Sequence, residues 1–298
     1  MIQYAPRLGR KLSRLALGPF MVVSLMFRMR HLQAQTLSGV SDAIGTSRVA
    51  SFLLYVRSLY SFIGFSVDYM VTCARGPSEI MRQMSKTDID GAHHFAFALA
   101  TERPILVVTM HMGDFQIGFL KLVERLRPGR QLSVFKLSDK SLSEAVLLEA
   151  FASLGHKPIV LRAGEGGGRQ AYLALRKAHI VAITIDLELQ VTSRSTVSFF
   201  GRPCHMQNGP ATIAALTRSL IVPVVNFKDR QGRRIVQVSP PIDSGTAMSG
   251  SNMHIAVQQL TQQLADCMEA WIRIDPSQVQ AWSAIAETIS HPIPPVGH

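Results

Sequence analysis

The segment Ile105-Leu106-Val107-Val108-Thr109-Met110-His111-Met112-Gly113-Asp114-Phe115-Gln116 sets a titratable ring at the end of an apolar run. Its aliphatic and β-branched start reads as a buried strand, and Gly113 then punctuates it before the first turn of a helix. An imidazole lifted out of a sheet in this way can take a proton from a hydroxyl, provided a second group orients it. Five residues on, where that group is expected, stands Gln116 in place of a carboxylate. Its amide oxygen can accept an Nδ1–H and fix the tautomer, but it has no charge to stabilise an imidazolium. Two other sources of a carboxylate are visible. Asp114, three residues from His111, reaches the ring if the first helical turn folds back, and otherwise caps the helix. Asp186 and Glu188 end another strand and come alongside only if the two strands are neighbours; otherwise Arg194 or Arg202 satisfies them.

Other pairings are weaker. Cys204-His205 looks like a nucleophile beside a base, but neighbours on an extended chain point to opposite sides, so packing is expected. Cys73, Cys204 and Cys267 show no C-x-x-C spacing, which favours a reducing compartment over a disulfide framework or a zinc site. Neither a metal nor a cofactor is expected. The run Gly164-Glu165-Gly166-Gly167-Gly168 lacks the G-K-[ST] ending of a P-loop. It instead closes a turn and opens a helix whose free N–H groups suit an anion, with Arg162, Arg169 and Arg176 around it.

These residues need a scaffold. The pattern predicts strands over 104–110, 132–135, 158–161, 180–186, 196–199, 221–227 and 234–239. Helices are predicted over 115–126, 141–154, 168–178, 209–219 and 254–274. The alternation implies an α/β fold with a mostly parallel central sheet covered by helices. Sites in such sheets collect at the C-terminal ends of strands, where His111 and Asp186 both fall. No repeat or long linker appears, and the division expected is a membrane-associating helical segment over 1–70 and one α/β domain over 71–290.

Hydrophobic residues make up 47% of the 298-residue chain and charged residues 17%, enough for a substantial core. The mean hydropathy of +0.18 is high for a freely soluble protein. A net charge of +11 points to an anionic partner: nucleic acid, an anionic membrane surface or an acidic carrier protein. With 7% aromatics and no zinc-finger, RNP-like or basic-region pattern, nucleic acid is not expected. Near the start, Arg7, Arg10, Lys11 and Arg14 precede an apolar run over 15–27, broken by Pro19 and bordered beyond it by Arg28 and Arg30. The run is shorter than the ~20 residues that span a bilayer, so it is expected to lie in the interface. Arg28-Met29-Arg30-His31 offers no small-residue cleavage site, so no cleavage is expected. A second apolar stretch over 52–71, carrying Arg57 and Asp68, reads as an amphipathic helix lying on the domain or on lipid, or else as a core helix.

The residues downstream of His111 form a more specific pattern. Asp186-Leu187-Glu188 leads to Val197-Ser198-Phe199-Phe200-Gly201-Arg202, then to Gly209-Pro210-Ala211 and Val222-Pro223-Val224. Toward the C-terminus come Glu269, Pro276-Ser277-Gln278 and Trp282. The set resembles the lysophospholipid acyltransferase superfamily, in its lipid A (lauroyl/myristoyl) acyltransferase branch, over roughly residues 70 to 285. That family carries a histidine followed after four residues by aspartate or glutamate, and Gln116 departs from it. The resemblance implies an O-acyltransferase that moves a fatty acyl chain from acyl carrier protein or acyl-CoA to a hydroxyl of a lipid or glycolipid. It would work on the cytoplasmic face of a bacterial inner membrane, with His111 as general base. Gln116 and Asp186 complete the expected catalytic set, and Arg169, Arg162, Glu188, Arg202 and Asp114 the substrate-binding one. An arginine of the glycine-rich region, Arg169 before Arg162, is implied to meet a phosphate or the oxyanion, and the turn at Phe199 to Arg202 to shape the acyl channel. The alternative is a catalytically impaired lipid- or carrier-binding member of the same fold.

Overall fold

The computed structural model describes residues 45–126, 129–136, 142–162, 166–186, 193–248, 252–282 and 284–285; the apolar run over 15–27 and the proline-rich tail lie outside them. Helix α1 (Arg48–Ala74) starts at Ser47, whose hydroxyl accepts the Ala50 N–H. After it come α2 (Pro77–Met84), β1 (Thr87–Asp90), α3 (Ala92–Ala100), β2 (Ile105–Thr109) and α4 (Phe115–Val123). The chain continues through β3 (Leu132–Lys136), α5 (Leu142–Ser153), β4 (Ile159–Arg162), α6 (Gly167–Arg176) and β5 (Ile180–Thr184). A hairpin of β6 (Arg194–Phe199) and β7 (Arg202–Gln207) precedes α7 (Gly209–Thr217). The remainder is β8 (Leu220–Lys228), β9 (Arg234–Val238), β10 (Ile242–Asp243), α8 (Ser244–Met248), α9 (Met253–Ile274) and a 3₁₀ turn over Pro276–Gln278.

The main sheet has the order β1-β9-β8-β2-β5-β3-β4, with β10 also paired to β8. Strands β8, β2, β5, β3 and β4 run parallel, while β9 and β10 are antiparallel to β8. All five residues of β2 are buried, as its unbroken apolar run requires. Alternation then sorts them. Leu106, Val108 and Met110 enter a core with α7, α9 and the β6–β7 hairpin, while Ile105 and Val107 enter another with α2 to α5. The α/β expectation therefore holds, with helices on both faces of a mostly parallel sheet.

Three strands and three helices were not legible in the pattern. Strands β1 and β10 are short and polar, and α2 and α3 precede the first regular βα repeat. Helix α8, at five residues, is too short to show a period. Strand β7 begins Arg-Pro and lies on a two-stranded sheet, where the missing proline N–H costs little. The turn that joins it to β6 is two residues long, with Phe200 and Gly201 both at positive φ, 51° and 73°.

The stretch over 52–71 forms part of one long helix that lies against the domain. Among the described residues, α1 is long and apolar enough to cross a membrane by length and composition alone. One face packs on the domain through Ile63, Phe65, Val67 and Val71, yet Val49, Phe52, Leu53, Tyr60 and Met70 stay exposed.

Candidate active site at the C-terminal ends of β2 and β5

Parallel pairing sets Thr109 opposite Thr184, and the Ile185 N–H continues the ladder to the Thr109 carbonyl at 3.0 Å. Two residues further on, His111 and Asp186 face each other. His111 Nδ1–H donates to Asp186 Oδ1 at 2.8 Å, and the His111 backbone N–H donates to Oδ2 at 2.7 Å. One carboxylate thus holds both the ring and the backbone of the same residue. The Asp186 side chain has no solvent exposure, whereas the His111 side chain keeps 19%. With Nδ1 as the donor, Nε2 carries the lone pair and is free to accept a proton. Phe115 meets the imidazole edge-on, with ring centroids 4.7 Å apart, and limits its rotation.

The loop that carries His111 is clamped from behind. Gly113 has φ +58°, and a Cβ there would lie 2.6 Å from the Asn226 carbonyl oxygen, so only glycine fits. The chain after α9 crosses this loop. Gln280 donates its backbone N–H to the His111 carbonyl at 2.8 Å and its amide Nε2–H to the Gly113 carbonyl at 2.6 Å. The Gly113 N–H donates to the Gln278 carbonyl at 3.2 Å. Sequence reasoning gave Gln280 no role. The only signal nearby was the likeness of Pro276-Ser277-Gln278 to a family stretch, which carries no geometry.

The other expected site residues separate. Gln116 sits in the first turn of α4, partly exposed, and no described residue bonds its side chain. Asp114 occupies the N-cap position of α4, but its side chain makes no capping bond, which corrects that expectation. It pairs instead with Arg234 Nε, and Lys228 Nζ lies 3.4 Å away. Lys228 also meets Asp68 at 3.4 Å and lies over the Phe65 ring. Asp68, inside the apolar stretch of α1, therefore ties α1 to β8 by a part-buried pair, and Asp114 belongs to that same network.

Arg169 stands exposed in the first turn of α6, with no bond to a described residue. Arg162 ends β4, at the sheet edge. Three strand spacings, about 14 Å, separate β4 from β2. Glu188 falls outside the described residues. Arg202 opens β7 on the hairpin, exposed and engaged in an interaction of its own. Neither it nor Arg194 takes the Asp186 carboxylate, both of whose oxygens go to His111. The adjoining turn is held by α9: Glu269 accepts the Phe200 N–H at 2.7 Å and Arg273 lies over the Phe200 ring, while Phe199 is fully buried. Cys204 is buried too, and burial pushes its thiol up to about 11, which suits packing and not a nucleophile. Among the described residues, no group of three metal-ligating side chains converges.

Comparison with known proteins gives the arrangement a setting. The sequence model of a family described as bacterial lipid A biosynthesis acyltransferase matches residues 55–282. The chain is also 28% identical over 189 residues to phosphatidylinositol mannoside acyltransferase from two strains of Mycobacterium tuberculosis. That match covers 63% of this chain and 56% of each relative, so the chain spans about half the length of the curated relatives it matches.

Proposed function

Because the chain belongs to the bacterial lipid A biosynthesis acyltransferase family, we propose that it moves a fatty acyl chain from a thioester to a hydroxyl of a membrane lipid or glycolipid. The donor in this reading is acyl carrier protein or acyl-CoA. The observation that carries it is the His111–Asp186 contact at the strand ends, with the ring partly open to solvent and its carboxylate sealed beneath it. Nε2 takes the proton of the acceptor hydroxyl as its oxygen attacks the thioester carbonyl. Asp186 stabilises the imidazolium that forms, which Gln116 has no charge to do. Collapse of the tetrahedral intermediate expels the thiolate, which recovers the proton from the imidazolium.

Arg169, exposed in the first turn of α6, and Arg162, at the end of β4, are assigned to phosphate of donor or acceptor. The exposed apolar face of α1 supports association with a membrane, and the basic balance of the chain supports an anionic surface or an acidic carrier. The inner membrane's cytoplasmic face remains the setting proposed for this work. Gln116 is the feature that favours a binding-only member, and Asp186 on Nδ1 supports the catalytic reading against it.

Incubation with a radiolabelled acyl-carrier thioester and total bacterial lipid tests this. A labelled lipid is expected from the native chain and none from His111→Ala. Persistence of the product in the variant overturns the base, and its absence from both overturns the activity.

A further inference from the structure

A cavity of about 650 Å³ opens between α1, the tip of the β8–β9 hairpin and the Pro276–Gln278 turn. That is within the ~300–1,000 Å³ usual for small-ligand sites. It lies at the end of the sheet where His111 sits. Gln278 and Phe227 line it, and both also border Gly113, the residue that turns the chain after His111.

Most charges in the lining are already engaged. Asp229 accepts from the Arg233 side chain and from the Gln231 and Arg233 N–H groups. Asp275 accepts from Ser277 and Gln278, and Lys228 is held by Asp68 and Asp114. Arg230 differs, being exposed with no bond to a described residue. Arg57 on α1, one helical turn before Ser61 of the lining, is in the same condition. Asp275 keeps its charge, since its donors are neutral, and the unused hydrogen-bond donors in the lining are those of Arg230, beside the hydroxyls of Tyr60 and Ser61. Val49, Leu53 and Tyr60, spaced four and seven residues apart, share one stripe of α1 and are 71%, 56% and 51% exposed. The cavity sits at the end of that stripe, where an amphiphile would have its polar head if its tails lay along the helix.

We propose that this cavity binds the phosphate headgroup of an anionic glycerophospholipid, with Arg230 and Arg57 on the phosphate and the acyl tails along Leu53 and Val49. A carrier protein fits less well, because the free charge lies at a concave site continuous with apolar surface rather than on an open face. The proposal rests on the preceding reading only in taking α1 as the lipid-facing helix.

Binding of the full chain to mixed phosphatidylglycerol–phosphatidylcholine vesicles tests it without acyl transfer, so the two readings fail separately. His111→Ala is expected to bind as the native chain does. At about 0.15 M salt diffuse attraction is damped beyond about 8 Å. Arg230→Gln is then expected to weaken binding about tenfold, the loss of one charge-assisted hydrogen bond. Ser61→Trp, which fills the cavity at no change of charge, is expected to do the same. Arg125→Gln, an equal charge loss at an exposed residue between α4 and β3 at the opposite end of the sheet, is expected to cost less than about twofold. Equal losses from the two arginines, or full binding by Ser61→Trp, overturn the site. So does vesicle binding that survives Arg230→Gln while acyl carrier protein binding is lost.

Discussion

An Asp186→Asn exchange keeps shape and removes charge, which separates the two things a carboxylate does for His111. An amide can present its oxygen to Nδ1–H, but its NH₂ then faces the His111 backbone N–H, which now finds an acceptor at 2.7 Å. The variant is expected to lower kcat by about 10² to 10⁴, the range seen when a catalytic histidine loses its charged partner, with KM for the lipid little changed. Gln116→Glu is expected to leave turnover within about threefold, because Nδ1 already has its acceptor. A large gain in the Glu variant, measured with the same labelled thioester, would return the orienting role to the helix. His111 was legible because a buried strand ending in a histidine is a strong local pattern. Its partner Asp186 was legible only as one candidate among several, because the pairing of Ile105 with Ile180 joins segments 75 residues apart and no local spacing encodes it. The local motif points to Gln116, whereas the Gly113 turn carries α4 onward and leaves that side chain unbonded to the ring.

Elements with a full apolar period, such as β2, β5, β8 and α9, were legible to within a few residues, since burial on one or two faces writes itself into composition. Contacts between elements were not. Gly118, in the middle of α4, looks like a mild helix weakness in sequence terms. In the fold it is the point where α4 crosses β8: an added Cβ would lie 1.6 Å from Asn226 Oδ1 and 2.4 Å from its Cγ. Asn226 is buried, so it has little room to yield. Gly118→Ala, which would gain about 1 kcal/mol in an open helix, is therefore expected to destabilise by about 1–3 kcal/mol. In an Asn226→Ala background the main clash is gone and a tight contact of 3.1 Å with Val236 Cγ2 is left, so the same change is expected to cost clearly less. Asn226 Oδ1 has no hydrogen-bond partner, so its removal forfeits no bond at that atom. Urea unfolding of the four chains closes the cycle, and equal costs in both backgrounds would refute the crowding.

On the scale of the whole molecule, both ends of the sheet are fastened by ion pairs, and the His111–Asp186 pair lies at one of them. His111, the α1 cavity and the Asp68–Lys228–Asp114–Arg234 network belong to the C-terminal end. At the other end Arg103, just before β2, forms a fork with Asp243 of β10 at 2.8 and 2.6 Å and also donates to the Arg218 carbonyl after α7. Three distant segments are joined there. The Arg103 guanidinium holds the Asp243 carboxyl well below the usual carboxylate range, with the Gly245 and Thr246 N–H groups adding to it against desolvation. A depressed carboxyl stays ionised in the fold while its unfolded counterpart takes a proton near pH 4, so its contribution is full above about pH 4 and is lost as pH falls through the lower folded value. Its side chain is 40% exposed, so water and salt weaken the pair. Asp243→Asn is expected to lower the urea midpoint at pH 7 and to leave acyl transfer intact, given the distance from His111. As pH drops below about 4 the gap between native and variant should narrow, because the unfolded Asp243 chain gains a proton that the folded one does not take until lower pH. Protonation of the remaining acids then raises a charge that is already +11, and both chains lose stability together. A gap that stayed constant down to about pH 2 would mean that shape, and not the charge of this fork, fastens that end of the sheet.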